Sequence, residues 1–357
     1  MLKSAIIYTT YKCNLNCDYC FILKTNEVMS QETLVKIFDW FKKNVDTSAD
    51  NPHVSLLGGE IFLYPDLIYK LADLMQNSRD KNKKFSLKAI PTNGTLLDRT
   101  IIQTLSKKGV EVAFSLDGYS YSSNKCRFKD KNIYLNVLGN IECYRQLIGL
   151  PQIKMTTHPQ RAKFMYKDIC SFLERGFTNI QLSPAFGARW HDTQTKEFFD
   201  NFYKVIKLHK ALKQQKKSLC IDPIDEYIEK VSKNKWDISN CGLGQEIVFT
   251  PSGDAYACTL VVNLNNEQIK KDFYLGNIHK NNIDLKKMFK LKNYRMCKDL
   301  QINCRYCFPD LTCRKLCATL DFKAGARFEN KYIGNLSSLE PFMFQATYQA
   351  YFNNYLQ

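Results

Sequence analysis

The sequence predicts an α/β fold in which strands and helices alternate over the first 220 of its 357 residues. Short β-branched or aromatic runs are each followed by a longer amphipathic stretch, and this alternation occurs six times. Glycines and polar residues cluster directly after the strands, where parallel sheets place their ligand sites. Six strand–helix units are too few for a closed eight-fold barrel. They suit either an open doubly wound sheet or a partial barrel.

The predicted elements follow in strict order along the chain. The strand candidates are Ser4–Thr10, Val54–Leu57, Phe85–Ile90, Val110–Leu116, Ile153–His158 and Asn179–Pro184. The helix candidates are Gln31–Asn44, Asp66–Arg79, Arg99–Lys108, Ile133–Leu147, Lys163–Arg175 and Lys196–Gln215. Ser30 and Asp98 are suitable N-caps, and Gly109 and Gly176 are suitable C-terminal stops.

The last predicted helix has a strongly basic face, with His209 among its polar positions. The basic residues of this face are Lys204, Lys207, Lys210, Lys213, Lys216 and Lys217. Together with the net charge of +16, they would suit nucleic acid or another acidic partner. No helix-turn-helix, zinc-finger or RNA-binding signature accompanies them. We therefore expect a solvated face and no nucleic-acid partner.

The composition is that of an ordinary globular chain, with 45% hydrophobic and 24% charged residues. No window approaches the roughly 18 apolar residues of a membrane span, and the first residues make a poor signal peptide. A cytoplasmic location and no membrane partner are expected. After about residue 220 the chain becomes rich in Lys and Asn, with short strand candidates at Ile247–Thr250 and Ala255–Cys258. The predicted domains are therefore 1–220 and 221–357.

Fourteen cysteines are too few for a small disulfide scaffold, and a cytosolic chain of this size needs no disulfides. Cys13, Cys17 and Cys20 form C-x3-C-x2-C. Three thiolates in a tight loop can bind three irons of a [4Fe–4S] cube. Because the next cysteine is Cys126, the fourth iron is free for an outside ligand. Zinc would require four protein ligands.

This spacing, with Tyr19 before the last cysteine, resembles the radical S-adenosylmethionine (radical SAM) enzymes. The resemblance implies a partial (β/α)6 TIM-like barrel that binds SAM through its [4Fe–4S] cluster. Gly58-Gly59-Glu60 resembles the family's GGE motif, whose backbone and acid hold the amino group of SAM. Ile61 stands where the family usually has proline.

Two further strand ends resemble the cofactor-contacting segments of that family. Thr92-Asn93-Gly94 is similar to its third-strand turn. Ser115-Leu116-Asp117-Gly118, with Arg127 downstream, is similar to a segment in which the Ser and Arg contact the cofactor. In the family, one electron from the cluster breaks a C–S bond of SAM, and the 5′-deoxyadenosyl radical takes a hydrogen atom from substrate. A flavodoxin or ferredoxin-like electron donor is implied.

The second cysteine set resembles the SPASM extension of peptide-modifying radical enzymes, a C-terminal cysteine-rich domain that holds auxiliary [4Fe–4S] clusters. Tyr274–Ile278 is also similar to a family segment. The auxiliary ligands implied by the resemblance are Cys241, Cys258, Cys304, Cys307, Cys313 and Cys317. No cysteine follows Cys317, where the family has another. We therefore expect one or two auxiliary clusters, at least one with an open iron or a non-cysteine ligand.

Auxiliary clusters indicate an oxidative reaction, because they can accept the electron of a substrate radical. The predicted function is maturation of a ribosomally made precursor peptide through an intramolecular C–C or thioether cross-link. A formylglycine-forming sulfatase-maturating enzyme is the main alternative, but Thr259 stands where that subfamily places an Asp base. Epimerisation would make less use of auxiliary clusters. A zinc-binding structural protein would not explain the strand-end motifs.

Overall fold

The computed structural model describes residues 1–46, 48, 52–78, 85–185, 188–233, 242–263 and 267–291. It also describes the isolated positions 327–328, 331–332, 347 and 351. Five of the six predicted auxiliary ligands lie outside these residues, namely Cys241, Cys304, Cys307, Cys313 and Cys317. No helix in the described part of the chain is long and apolar enough to span a bilayer.

A curved wall of parallel strands forms the centre of the molecule. Its strands are β1 (Ser4–Thr10), β2 (His53–Gly58), β3 (Ser86–Leu87), β4 (Ile90–Thr92), β5 (Val112–Ser115), β6 (Gln152–Thr157), β7 (Asn179–Pro184) and β8 (Cys220–Asp222). β1, β2 and β3 pair in parallel, and β4 to β8 form a five-stranded parallel sheet in chain order. This arrangement is the partial barrel implied by the sequence, and the fold class is confirmed.

The helices connect the strands and cover the outside of the wall. They are α1 (Gln31–Asn44), α2 (Pro65–Asn77), α3 (Arg99–Lys108), α4 (Lys131–Leu147), α5 (Met165–Leu173), α6 (Asp192–Gln214), α7 (Ile224–Ser232), α8 (Glu267–Phe273) and α9 (Leu285–Leu291). As predicted, Ser30 and Asp98 accept hydrogen bonds from backbone N–H groups of α1 and α3. Gly109 ends α3 in the left-handed conformation, with φ +62°.

The predicted strand Phe85–Ile90 is broken into β3 and β4. β3 pairs with β2, whereas β4 pairs with β5 and extends to Thr92. The wall divides into two sheets here, because one segment of chain supplies a strand to each. β8, which pairs in parallel with β7, adds a short strand beyond the six that the sequence predicted.

The segment after residue 240 continues the wall on the β1 side. β9 (Glu246–Phe249) pairs in parallel with β1, and β10 (Asp254–Tyr256) and β11 (Tyr274–Asn277) follow in antiparallel order. Two further strands, β12 (Arg327–Phe328) and β13 (Lys331–Tyr332), pair with each other. The division into domains 1–220 and 221–357 stays a prediction.

The prediction that His209 lies among the polar positions of its helix is wrong. Its side chain is fully buried, and Nε2 lies 2.7 Å from Oδ2 of Asp225. Packing against α7 gives this imidazole a carboxylate partner, so it can leave water without an unpaired polar atom. Of the predicted basic row, only Lys210 is half-buried; the exposed members are Lys204, Lys207, Lys213, Lys216 and Lys217.

Candidate functional site

The loop that follows β1 carries the three cysteines and is fixed to the neighbouring strand end by backbone hydrogen bonds. The N–H of Gly59 donates to the carbonyl of Thr10, and the N–H of Glu60 donates to that of Lys12, each at 2.9 Å. An added Cβ at Gly59 would lie 2.1 Å from the Lys12 carbonyl oxygen. Only glycine therefore allows the β2 end to approach the cysteine loop this closely.

Cys13, Cys17 and Cys20 line one cavity of about 340 Å³ at the carboxyl ends of the strands. Eight of the nine predicted SAM-contacting residues line the same cavity, namely Tyr19, Gly58, Gly59, Glu60, Thr92, Asn93, Ser115 and Arg127. The ninth, Asp117, is 5% exposed and lies behind the cavity wall. The structure thus brings the predicted residues together, while their contacts with a cofactor stay a prediction.

The carboxylate of Glu60 organises the neighbouring turn. Oε1 accepts hydrogen bonds from the Phe62 N–H at 3.1 Å and the Thr92 hydroxyl at 2.8 Å. Oε2 accepts one from the Asn93 N–H at 2.8 Å. Burial raises the pKa of Glu60, and these three donors oppose that rise. Glu60 therefore positions the Thr92-Asn93 turn, in addition to any contact with SAM.

Replacing Glu60 by glutamine is expected to lower the free energy of unfolding by about 1–3 kcal/mol. The new NH2 group would face an N–H or O–H donor, and at least one buried donor would lose its acceptor. Urea unfolding monitored by circular dichroism would measure the change. Glu111, whose side chain is exposed, supplies the control variant Glu111→Gln. Equal stability of the two variants would contradict this positioning role of Glu60.

The Asn93 side chain links that turn to the cysteine loop. Its Nδ2 donates to Oδ1 of Asn14 at 2.8 Å, and its Oδ1 accepts from the Thr95 N–H at 3.0 Å. The Asn14 Nδ2 donates in turn to the Thr95 hydroxyl at 2.8 Å. Asn14 sits beside Cys13 in the chain, so this network orients the first cysteine.

Asp117 joins Tyr19 and Arg127 into a buried cluster beside Cys17. Its Oδ2 accepts from the Tyr19 hydroxyl at 2.5 Å, and its Oδ1 accepts from Arg127 Nη2 at 2.8 Å. The Arg127 guanidinium lies 5.5 Å from the centre of the Tyr19 ring. Nε of Arg127 is buried without a hydrogen-bond partner among the described residues. The guanidinium group of Arg127 thus lies at the cavity wall with one N–H donor that has no acceptor among the described residues.

The cysteine thiols are electrostatic neighbours. Burial raises the pKa of Cys17 to about 11, Arg127 opposes this rise, and Cys20 and Cys13 add to it. Burial likewise raises the pKa of Cys13. Thiolates in this setting require a compensating cation, and bound iron supplies one.

The donor set fits a [4Fe–4S] cube. No group of three His, Cys, Asp or Glu side chains among the described residues surrounds a single metal ion. A cube does not need such a group, because each cysteine binds a different iron. Cys13, Cys17 and Cys20 would hold the cube, and the Gly58–Glu60 strand end is hydrogen-bonded to the loop that carries them.

Residues 7–150 match the family model described as the radical SAM superfamily. This segment is a radical SAM domain. The matched range begins within β1 and ends just before β6, so it contains the cysteine loop and every residue predicted to contact SAM. The resemblance deduced from the sequence is confirmed.

Sequence similarity to other proteins extends beyond the radical SAM domain. The antilisterial bacteriocin subtilosin biosynthesis protein AlbA of Bacillus subtilis is 24% identical over 279 residues. These residues are 75% of this chain but only 56% of AlbA. The chain therefore spans little more than half the length of that relative.

Solved structures share the fold of this chain to different extents. Native anSMEcpe with bound AdoMet and Cp18Cys peptide has a TM-score of 0.74 at 20% identity, covering 98% of this chain and 99% of that one. Streptococcus suis SuiB bound to precursor peptide SuiA has a TM-score of 0.53 at 14% identity, covering 74% of this chain and 61% of SuiB. At these identities the likeness concerns the fold alone.

One predicted auxiliary ligand, Cys258, falls within the described residues and lies near the radical SAM domain. The neighbouring Thr259 hydroxyl lies 2.8 Å from the hydroxyl of Tyr8, and Tyr8 lines the cysteine cavity. Burial raises the pKa of Tyr8 to about 12, and Cys258 adds to that rise. The β10 end thus contacts the cavity wall through Thr259.

Several cavity residues on the strands were not predicted from the sequence. Tyr8, Lys154, Thr156 and Gln181 line the cavity but lie within strands and not after them. A signal was present in the sequence, because Lys154 and Thr156 alternate with apolar residues in a strand covered by helices. A parallel strand buried on both faces would be apolar throughout.

Proposed function

We propose that the protein is a radical SAM enzyme that modifies a ribosomally made precursor peptide. The single observation that carries the proposal is the convergence of three cysteines, Gly58-Gly59-Glu60 and Arg127 on one cavity. When bound, the cluster and SAM supply a 5′-deoxyadenosyl radical. AlbA, a bacteriocin biosynthesis protein, and SuiB, whose structure contains a bound precursor peptide, support a peptide substrate.

The residues of the cavity would bind and orient the cluster and SAM, and would shield them from water. Cys13, Cys17 and Cys20 would hold the cluster, while Gly59 keeps the β2 end against their loop. Arg127 offers a buried guanidinium to the carboxylate of SAM, because charge-assisted hydrogen bonds to carboxylates are strong. The apolar walls from Leu15, Phe21 and Ile22 exclude water from the radical.

The modification we propose is an intramolecular C–C or thioether cross-link. One hydrogen atom leaves the peptide with 5′-deoxyadenosine, and the new bond forms as a second electron and a proton leave. An auxiliary cluster is the electron acceptor, and the proton goes to solvent. The external electron donor is a flavodoxin or ferredoxin-like protein. We place the reaction in the cytoplasm, where reduced clusters persist.

Co-expression with a candidate precursor peptide, followed by mass spectrometry, tests the modification. A cross-link removes two hydrogens and leaves no aldehyde. A formylglycine product would react with hydroxylamine, and epimerisation would leave the mass unchanged. Formylglycine formation is the second candidate, which the sequence resemblance left open. The Thr259 hydroxyl is already hydrogen-bonded to Tyr8, which argues against Thr259 as the base of a formylglycine-forming reaction.

The number of clusters is testable by iron analysis of anaerobically reconstituted protein. We propose one or two auxiliary clusters in addition to the SAM cluster, which predicts about eight to twelve irons per chain. The variant C13A/C17A/C20A is expected to lose about four irons and keep the rest. A wild-type value near four, with none left in the variant, would contradict any auxiliary cluster.

A further inference from the structure

A row of polar side chains crosses the inside of the barrel. Ser115 of β5 pairs in register with Lys154 of β6, Lys154 pairs with Gln181 of β7, and Gln181 pairs with Asp222 of β8. Barrel interiors of this kind are normally filled by bulky branched side chains. A continuous polar row therefore departs from what packing alone would select.

Lys154 stands at the boundary between two cavities. It lines the cavity at the cysteine loop and also a larger cavity of about 730 Å³ farther along the barrel. Gln181 lines both as well, whereas Asp222 lines only the larger cavity. The adjacent Ile153 and Met155 point to the helices and are at most 1% exposed. The exposed part of the Lys154 side chain therefore faces the inside of the barrel.

Within the described part of the chain, no neighbouring side chain neutralises the charge of Lys154. No described carboxylate forms a salt bridge with its ammonium group, and the acid that influences it is Asp222. Asp222 lies two strands away, about 10 Å at the usual strand spacing. Burial lowers the pKa of Lys154, as expected for a cation held away from water without a close anion.

We propose that Lys154 binds a carboxylate group of the peptide substrate, either an acidic side chain or the chain terminus, inside the larger cavity. The proposal rests on the proposed function, since it concerns how that peptide is held. The ammonium group offers three donors, and the neighbouring Gln181 amide offers more. Asp222, at the far end of the row, repels an anion and so confines it to the Lys154 end. A carboxylate held there lies beside the cysteine cavity.

Binding of two capped peptides to the full, anaerobically reconstituted chain tests this inference. The probes are acetyl-Gly-Glu-Gly-amide and acetyl-Gly-Gln-Gly-amide, measured by isothermal titration calorimetry. Wild type is expected to prefer the Glu peptide by about tenfold to a hundredfold, the value of a charge-assisted hydrogen bond. Lys154→Met is expected to abolish the preference, and Lys154→Arg to retain part of it. The exposed Lys167 supplies the control Lys167→Met, which should bind as wild type does.

Thermal unfolding separates ligand binding from a structural role. Because Lys154 has no close ionic partner among the described residues, Lys154→Met should not lower Tm. Loss of the preference together with a lower Tm would indicate a structural role and overturn the proposal. The absence of a Glu preference in wild type, or its persistence in Lys154→Met, would also overturn it. Reductive cleavage of SAM by the wild-type protein is assayed separately. If cleavage is intact and the preference absent, only this inference fails, whereas absent cleavage in wild type would refute the proposed function.

Discussion

Replacing Gly59 by alanine is expected to lower the free energy of unfolding by about 3 kcal/mol and to abolish iron binding at the cysteine loop. The new methyl group would lie 2.1 Å from the carbonyl oxygen and 2.5 Å from the carbonyl carbon of Lys12. These are backbone atoms, so no side-chain rotation relieves the clash. The loop must move away from the β2 end, and the cysteines must move with it.

The matched control for that variant is Gly139→Ala. Gly139 lies on an exposed part of α4, and an added Cβ would meet no atom within 4 Å. Alanine there should raise the free energy of unfolding by about 0.5–1 kcal/mol, because it favours the helix. Urea unfolding and iron analysis measure both variants. A stable, iron-replete Gly59→Ala protein would contradict the close approach of the two segments.

The second large effect is expected for Asp117→Ala. The Asp117–Arg127 ion pair is buried, with side chains only 5% and 8% exposed. Removing the carboxylate leaves an uncompensated guanidinium, which typically costs about 3–5 kcal/mol. The Tyr19 hydroxyl and the Thr156 N–H also lose their acceptor. Tyr19, the loop residue before Cys20, would lose the hydrogen bond that holds it in place, so the iron content should fall as well.

An exposed ion pair provides the comparison for Asp117. Asp200 pairs with Lys196 at 2.9 Å on α6, where the two side chains are 57% and 78% exposed. Asp200→Ala is expected to cost only about 0.3–0.5 kcal/mol. Chemical unfolding would measure both variants. Similar losses in the two proteins would show that Asp117 is not the buried partner on which Arg127 depends.

Local sequence signals predicted most of the fold. The bounds of β1, β7, α1 and α3 agree with the predicted ones, because apolar periodicity and caps are properties of neighbouring residues. The break between β3 and β4 could not be predicted, since it depends on which strands pair on either side. His209 was misplaced for a similar reason, because its partner Asp225 comes from another helix.

Site residues were predictable where the chemistry of cluster and cofactor binding fixes their spacing in the chain. The three cysteines and the glycines at the strand ends must occupy set positions, so their pattern is visible in the chain. The hydrogen bonds of Glu60 to the Thr92-Asn93 turn were not predictable, because they join elements 32 and 33 residues apart. Lys154 was overlooked because its alternation with apolar residues indicates a polar face of the strand but not which cavity that face lines.

Anaerobic incubation of the reconstituted protein with SAM and dithionite, followed by quantification of 5′-deoxyadenosine and methionine, tests the radical SAM chemistry most directly. Wild-type protein is expected to release the two products in equal amounts. The variant C13A/C17A/C20A should release neither, although it should still hold any auxiliary iron. Wild-type protein that carries iron at the three-cysteine loop and yet leaves SAM intact would contradict the account.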